Sequence, residues 1–131
     1  IGREQLKKLN EFLEIRKKNG KYFNELFSKN EKIIIQKNTD DSSYFGFTII
    51  FGSNKKRDEI VKLFEAENIE CRPIVSGNFT KNEVIKYFDY TIHGKLKNAN
   101  KIHNCGLFIG NHHIDSKEKI KEIYDLIKKN V

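Results

Sequence analysis

The run Tyr44-Phe45-Gly46-Phe47-Thr48-Ile49-Ile50-Phe51 constrains the fold more than any other stretch of this chain. β-Branched and aromatic side chains occupy both alternating sets of positions, so the run predicts a strand buried on both faces. Gly46 inside it marks a bulge, or a place where another group closely approaches the backbone. The β-branched run Ile33-Ile34-Ile35-Gln36 comes just before it. Between the two lies Asn38-Thr39-Asp40-Asp41-Ser42-Ser43, which is turn composition, so the pair reads as a tight β-β unit.

Helical periodicity brackets this unit. Leu6, Leu9, Leu13 and Arg16 recur at three- and four-residue steps and Phe23 follows two turns on, with Phe12 and Leu26 flanking. Residues 1–29 therefore read as one long helix, with Gly20 a mild weakness and Ser28-Lys29-Asn30 the stop. After a Gly52-Ser53-Asn54 turn, Arg57 to Asn68 reads as a helix with Ile60, Leu63 and Phe64 on one face. Cys71 to Val75 reads as a strand, and Thr80-Lys81-Asn82-Glu83 as a capping box that starts a short helix to Tyr87. Ala99 to His103 gives a helical turn, Leu107 to Ile109 a strand, and Asp115 or Ser116 caps a last helix through Lys129. That helix buries Ile120, Ile123, Tyr124 and Ile127. The order β-β-α-β-(α)-β-α over residues 31–131 predicts an α/β (α+β) fold, a small two-layer sandwich with a mixed or antiparallel sheet packed by helices.

A length of 131 residues fits one domain with a modest core. The net charge of +7 would suit nucleic acid, but only Arg3, Arg16, Arg57 and Arg72 are arginines. Arginine reads phosphates and bases with a fixed fork, whereas lysine is the default solvated surface charge, so no nucleic-acid partner is expected. A basic α/β nucleic-acid-binding module stays as an alternative reading. No apolar run is long enough to span a bilayer, and Cys71 and Cys105 form no close pair, so the expected compartment is the cytoplasm, with no membrane partner. His93, His103, His112 and His113 lack the spacing of a metal frame, and no metal is expected. The chain opens on Ile1 and contains no Met, which reads as a domain cut from a longer protein.

Ser76-Gly77-Asn78 follows the only proline, Pro73, and interrupts two structured stretches. Glycine there admits a close backbone approach, and Asn78 offers a donor and an acceptor. Arg72, just before the proline, is placed to face solvent or an anion. On pattern alone this loop is equally a plain turn, and the Phe45 strand equally ordinary core packing.

Taken together these segments resemble the C-terminal domain of the sugar aminotransferase superfamily, within the fold type I vitamin-B6 enzymes. Ile1-Gly2-Arg3-Glu4-Gln5-Leu6-Lys7-Lys8-Leu9 is similar to that family's helix after its I-G-x-x-Q-L motif. Ser43-Tyr44-Phe45-Gly46-Phe47 resembles the S-W-F-G-F strand of the 4-keto-6-deoxy-nucleotide-sugar 3-dehydrases, with Tyr44 in place of Trp. Arg72-Pro73, Gly77-Asn78 and Gly110-Asn111-His112-His113 resemble further motifs of that branch, with Ser76 where Ala is common.

The resemblance implies a pyridoxal or pyridoxamine 5′-phosphate cofactor, bound mainly by an absent N-terminal domain, and loss of the C3 hydroxyl from a nucleotide-linked 4-keto-6-deoxy sugar. The full-length enzyme would be a homodimer making a dideoxysugar for lipopolysaccharide. A nucleotide-sugar aminotransferase is the nearer alternative. No catalytic residue is expected in this chain, and the isolated fragment should be inactive. The expected lining residues are Phe45, Arg72, Ser76, Gly77, Asn78 and His112. Phe45 stands where aminotransferase relatives carry His, so it should keep the site dry and withhold a proton donor. Two lone cysteines cannot by themselves hold the iron–sulfur cluster of one sub-branch, so the cluster-free type is expected, with the cluster type as the alternative where the absent domain supplies the thiolates.

Overall fold

A computed structural model describes residues 2–38 and 41–131. The turn expected at Thr39-Asp40 lies outside the described residues.

Three strands form one antiparallel sheet in the order β1-β2-β3: β1 Ile33–Ile35, β2 Gly46–Phe51 and β3 Gly106–Gly110. Ile33 pairs with Phe51, and Gly46 through Ile50 pair in unbroken register with Gly110 through Gly106. Gly46 is therefore not a bulge. It is the close-approach case: a Cβ there would stand 2.3 Å from Phe108 Cζ. Beyond β3, Arg72 pairs with Phe108 through two backbone hydrogen bonds of 2.9 and 2.7 Å.

Helices cover one face of this sheet. The helices are α1 Gly2–Leu6, α2 Leu9–Phe27, α3 Asn54–Ala66, α4 Lys97–Cys105 and α5 Lys117–Asn130, and α2, α3 and α5 supply the buried side chains of this cover. Phe47, Ile49 and Phe51 of β2 and Leu107 and Ile109 of β3 join Phe23, Phe27, Ile60, Phe64, Ile120, Tyr124 and Ile127 in one core. Phe23 stacks on Phe47 at 4.3 Å between centroids and Phe27 meets Tyr124 edge-on at 5.1 Å. Such aromatic contacts supply a large apolar area from few residues.

The other face is only partly covered. Thr48, Ile50 and Phe108 are half-buried, Ile34 is exposed, and Phe45 is 84% exposed. The expectation of a strand from Tyr44 buried on both sides is thus corrected. Tyr44 has φ +44, in the left-handed region, and this twist keeps it and Phe45 out of the ladder, so pairing starts at Gly46.

Four other expectations are corrected. The leading helix breaks at Lys7-Lys8, and the Leu6 and Leu9 stripe is exposed because nothing here packs against it. The third helix starts earlier, at Asn54, where the Ser53 hydroxyl accepts the Lys56 amide. The Cys71–Val75 strand shrinks to the Arg72 bridge, because an Ile74–Gly77 turn (Gly77 N–H to Ile74 O, 2.8 Å) puts Val75 at φ +48. Asn78, not Thr80, caps the next segment, which forms two 3-10 turns, Phe79–Lys81 and Glu83–Tyr87.

Candidate functional site

Side-chain alternation places Gly46, Thr48, Ile50, Gly106, Phe108 and Gly110 on the open face of the sheet. At its centre the Phe108 ring covers Gly46 and stacks against Phe45, 5.7 Å between centroids. Arg72, directly opposite Phe108 in the bridge, shares this face. Its side chain is 73% exposed and, among the described residues, pairs with the exposed Glu70 at 2.6 Å. Ile74 covers the Gly106 end, its Cδ1 2.5 Å from where a Cβ on Gly106 would stand. The aromatic strand entry and the Arg72–Asn78 loop thus flank one open surface.

Of the described non-glycine residues in the left-handed region, Tyr44 and Val75 bracket that surface, while Asn68 follows α3 and Leu96 precedes α4. For a β-branched residue such as Val75 the conformation is costly, and strain of this kind concentrates where a ligand or partner is met. Val75 is 87% exposed, so little packing among the described residues offsets that cost.

The expected lining residues divide into two groups. Phe45, Arg72 and Ser76 are exposed, and His112 is exposed on the loop after β3. Asn78 turns inward instead. It is 4% exposed, its amide donates to Asn100 Oδ1 at 2.9 Å, and its carbonyl oxygen accepts from the Thr80 amide and hydroxyl. Its backbone N–H donates to His103 Nδ1 at 3.2 Å. Gly77, at φ +58, leaves no room for a side chain, because a Cβ would sit 2.5 Å from that same Nδ1. Gly77 and Asn78 therefore fix the loop's shape, while Arg72 and Ser76 are what the loop presents.

Beside Phe45, on its α2 side, a hollow of about 400 Å³ is lined by Leu9, Phe12, Leu13, Arg16, Ser43 and His113. His113 packs on Phe12 with ring centroids 4.2 Å apart. A larger groove of about 920 Å³ runs between α2 and the exit of β1, lined by Lys17, Lys18, Lys21, Lys37, Asn24 and Tyr44 among others. Its basic character is partly neutralised, since Lys17 pairs with Asp41 and Lys21 with Glu25. Among the described residues no three His, Cys, Asp or Glu side chains group as a metal site, and no helix is long and apolar enough to cross a membrane.

Motif reading passed over a buried polar cluster behind Phe45. Asn19, 1% exposed, donates its amide to Asn111 Oδ1 and to the carbonyls of His112 and Ile114. Asn111, 7% exposed, donates to the carbonyls of Arg16, Ser43 and Tyr44. Of the Gly110-Asn111-His112-His113 motif, it is Asn111 and not a histidine that is locked in place. The one available signal was Asn19 in the middle of a helical pattern, where asparagine is a poor fit unless it has partners.

The chain matches the DegT/DnrJ/EryC1/StrS aminotransferase family over residues 1–128. It belongs to that family. It is 52% identical over 132 residues to a GDP-4-keto-6-deoxy-D-mannose 3-dehydratase of Yersinia pseudotuberculosis, covering 98% of this chain and 34% of that protein. A protein of the same name from Escherichia coli O55:H7 is 44% identical over 131 residues, again covering 98% and 34%. The solved E. coli GDP-4-keto-6-deoxy-D-mannose-3-dehydratase with bound hydrated PLP superposes with a TM-score of 0.89 at 42% identity, over 96% of this chain and 33% of that one. A Helicobacter pylori aminotransferase of pseudoaminic acid biosynthesis shares the fold alone, with a TM-score of 0.80 at 16% identity, over 98% of this chain and 35% of that one. The chain spans about a third of the length of the curated relatives it matches. The small α/β fold expected from the resemblance is the one observed, with an antiparallel sheet.

Proposed function

We propose that this chain is the C-terminal domain of a pyridoxamine 5′-phosphate-dependent 3-dehydratase acting on a GDP-linked 4-keto-6-deoxyhexose. The enzyme removes the C3 hydroxyl on the way to a dideoxysugar of surface polysaccharide. Phe45 carries the reading: an apolar ring, 84% exposed, stands outward over β3 where aminotransferase relatives carry His. Identity of 52% and 44% to two 3-dehydratases across nearly the whole chain supports it.

The cofactor, when bound, supplies an amine for the C4 ketone and a conjugated ring that accepts electrons from the neighbouring carbons. The residues here fit a wall against that group rather than its anchor. Phe45 and Phe108 present an apolar aromatic surface, whereas the half-buried Arg16 guanidinium is engaged by the carbonyls of Ser43 and Tyr44. Phe45 excludes water from the sugar and offers no proton, which favours departure of the hydroxyl over completion of an amino sugar. Arg72 pairs with an anionic group of the nucleotide sugar, and the Ser76 hydroxyl meets a sugar hydroxyl. Gly77 and Asn78 hold the loop that carries them, and His112 sits at the margin. The large cofactor-binding domain lies in the remaining two thirds of a homodimeric, cytoplasmic enzyme, with residues 1–29 as the connecting segment.

The test is to incubate the complete protein with pyridoxamine 5′-phosphate, glutamate as the amino donor that restores the amine form, and GDP-4-keto-6-deoxymannose, and to follow the sugar by mass spectrometry. Catalytic formation of the 3-deoxy ketone is expected. A 4-amino sugar that retains its C3 oxygen would replace this reading by the aminotransferase one. The 131 residues alone should give no turnover.

A further inference from the structure

Helix α2 holds Tyr44 at three points spaced four residues apart, one ridge of a helix surface. The Arg16 guanidinium donates to the Tyr44 carbonyl at 2.6 Å and to the Ser43 carbonyl at 3.3 Å. Gly20 receives the tyrosine ring, which leaves no space for a Cβ: it would stand 2.5 Å from Tyr44 Cδ2. Asn24 donates its amide to the Tyr44 hydroxyl. From the other side Asn111 donates to the same Tyr44 carbonyl at 3.1 Å, and its own carbonyl oxygen is held by Asn19 at 3.2 Å. The Tyr44 N–H is bonded to Ser42 Oγ at 3.1 Å.

These contacts converge on a peptide unit in a disfavoured conformation. Tyr44 has φ +44, and Phe45 is the residue that its carbonyl leads into. In an ordinary extended backbone Tyr44 and Phe45 would continue the strand, with Phe45 directed to the core side of the sheet beside Phe47. The left-handed residue instead directs the Phe45 ring to the open face, where it stacks on Phe108.

We infer that Arg16 and Asn111 are positioning residues for the reaction, acting through Phe45. They fix the Tyr44 carbonyl, and so hold the left-handed turn that keeps the Phe45 ring out over the site. The inference rests on the proposed role of Phe45 as a wall, and goes beyond it by assigning function to two groups whose donors are taken up by backbone carbonyls.

The experiment is a double-mutant cycle in the complete enzyme loaded with pyridoxamine 5′-phosphate, with saturating glutamate as the amino donor that restores the amine form after each turnover. Asn111→Ala, Phe45→Ala and the double variant are compared for kcat, KM and urea midpoint on GDP-4-keto-6-deoxymannose. Asn111→Ala is expected to lower kcat about tenfold per folded enzyme with KM nearly unchanged. In the Phe45→Ala background it should lower kcat no further, because residues acting through one another are not additive. The urea midpoint should fall in both backgrounds, because the bonds from Asn111 to the Arg16, Ser43 and Tyr44 carbonyls are lost whether or not Phe45 is present. A kcat loss that multiplies fully in the double variant, or no kcat loss at all, overturns the inference. Should Asn111→Ala fail to fold, Arg16→Lys makes the same comparison, since it keeps the charge and loses the fork that reaches two carbonyls.

A second measurement separates this inference from the reading it rests on. If Phe45→Ala alone leaves kcat unchanged, the wall reading fails and with it the functional part of the inference. The geometric part is then judged by a crystal structure of the Asn111→Ala enzyme. A Tyr44 released from the left-handed region, with the Phe45–Phe108 stack broken, is expected. An intact stack overturns the claim that Asn111 positions Phe45.

Discussion

The Phe108 ring occupies the space that a side chain on Gly46 would need: an added Cβ would lie 2.3 Å from Phe108 Cζ and 2.5 Å from the carbonyl oxygen of Ile109. The ring could swing aside, but the carbonyl is part of the β2–β3 ladder and cannot. Gly46→Ala is therefore expected to destabilise the domain by about 1–3 kcal/mol, the usual cost of overpacking. Phe108→Leu should not rescue it. Urea denaturation of the single and double variants checks this, and an unchanged midpoint for Gly46→Ala would contradict it.

Gly20 gives a second case in which two effects oppose each other. In an exposed helix interior, replacing Gly by Ala stabilises by about 1 kcal/mol through propensity. Here the new Cβ would meet the Tyr44 ring at 2.5 Å, and overpacking of about 1–3 kcal/mol outweighs that gain. Gly20→Ala should lower the thermal midpoint. A raised midpoint would mean that the Tyr44 slot on α2 is looser than described.

Much of the fold could be read from the sequence because it depends on local period. The Ile120, Ile123, Tyr124 and Ile127 stripe and the Ile33 and Phe47 runs carry helix and strand spacing that any burial must satisfy. The open face was not legible, since Phe45 and Ile50 look as apolar as Phe47 and Ile49, and the packing of α2, α3 and α5, with the left-handed turn at Tyr44, decides which set is covered. The polar cluster was less legible still. Asn19 and Asn111 are 92 residues apart, and neither spacing nor residue type announces the pair. Asn78 illustrates a related limit. Its loop was recognisable, but whether its amide faced a ligand or Asn100 depended on how α4 packs beneath it.

That inward setting of Asn78 separates it experimentally from Arg72. Asn78→Ala removes a cap and leaves Asn100 Oδ1 without its donor, so a loss of about 1–2 kcal/mol is expected. Arg72→Ala removes a solvent-exposed side chain whose one ion pair is also exposed, and should change stability by no more than about 0.5 kcal/mol. In the complete enzyme Arg72→Ala should instead raise KM for the nucleotide sugar severalfold. Equal stability losses in the two variants would contradict this division of roles.

Burial pushes the Cys71 thiol above its ordinary range, with Glu65 adding to the shift and Arg57 opposing it. The folded protein therefore holds that proton to higher pH than the unfolded chain does. Below the unfolded value the group makes no pH-dependent difference, and stability is lost as pH rises through the interval up to the folded value. Cys71 should react with iodoacetamide more slowly at pH 8 than it does in urea-unfolded protein. A native rate equal to the unfolded one would contradict the assigned burial.

The most direct test of the account is hydrogen–deuterium exchange on the complete protein carrying pyridoxamine 5′-phosphate, with and without GDP-4-keto-6-deoxymannose. The sugar should add protection at residues 43–48 and 72–78, the two segments that flank the Phe45–Phe108 surface. Residues 17–25, along the lysine-lined groove, should not change. Protection concentrated in that groove, with residues 43–48 exchanging as before, would contradict the claim that the aromatic face closes over the substrate.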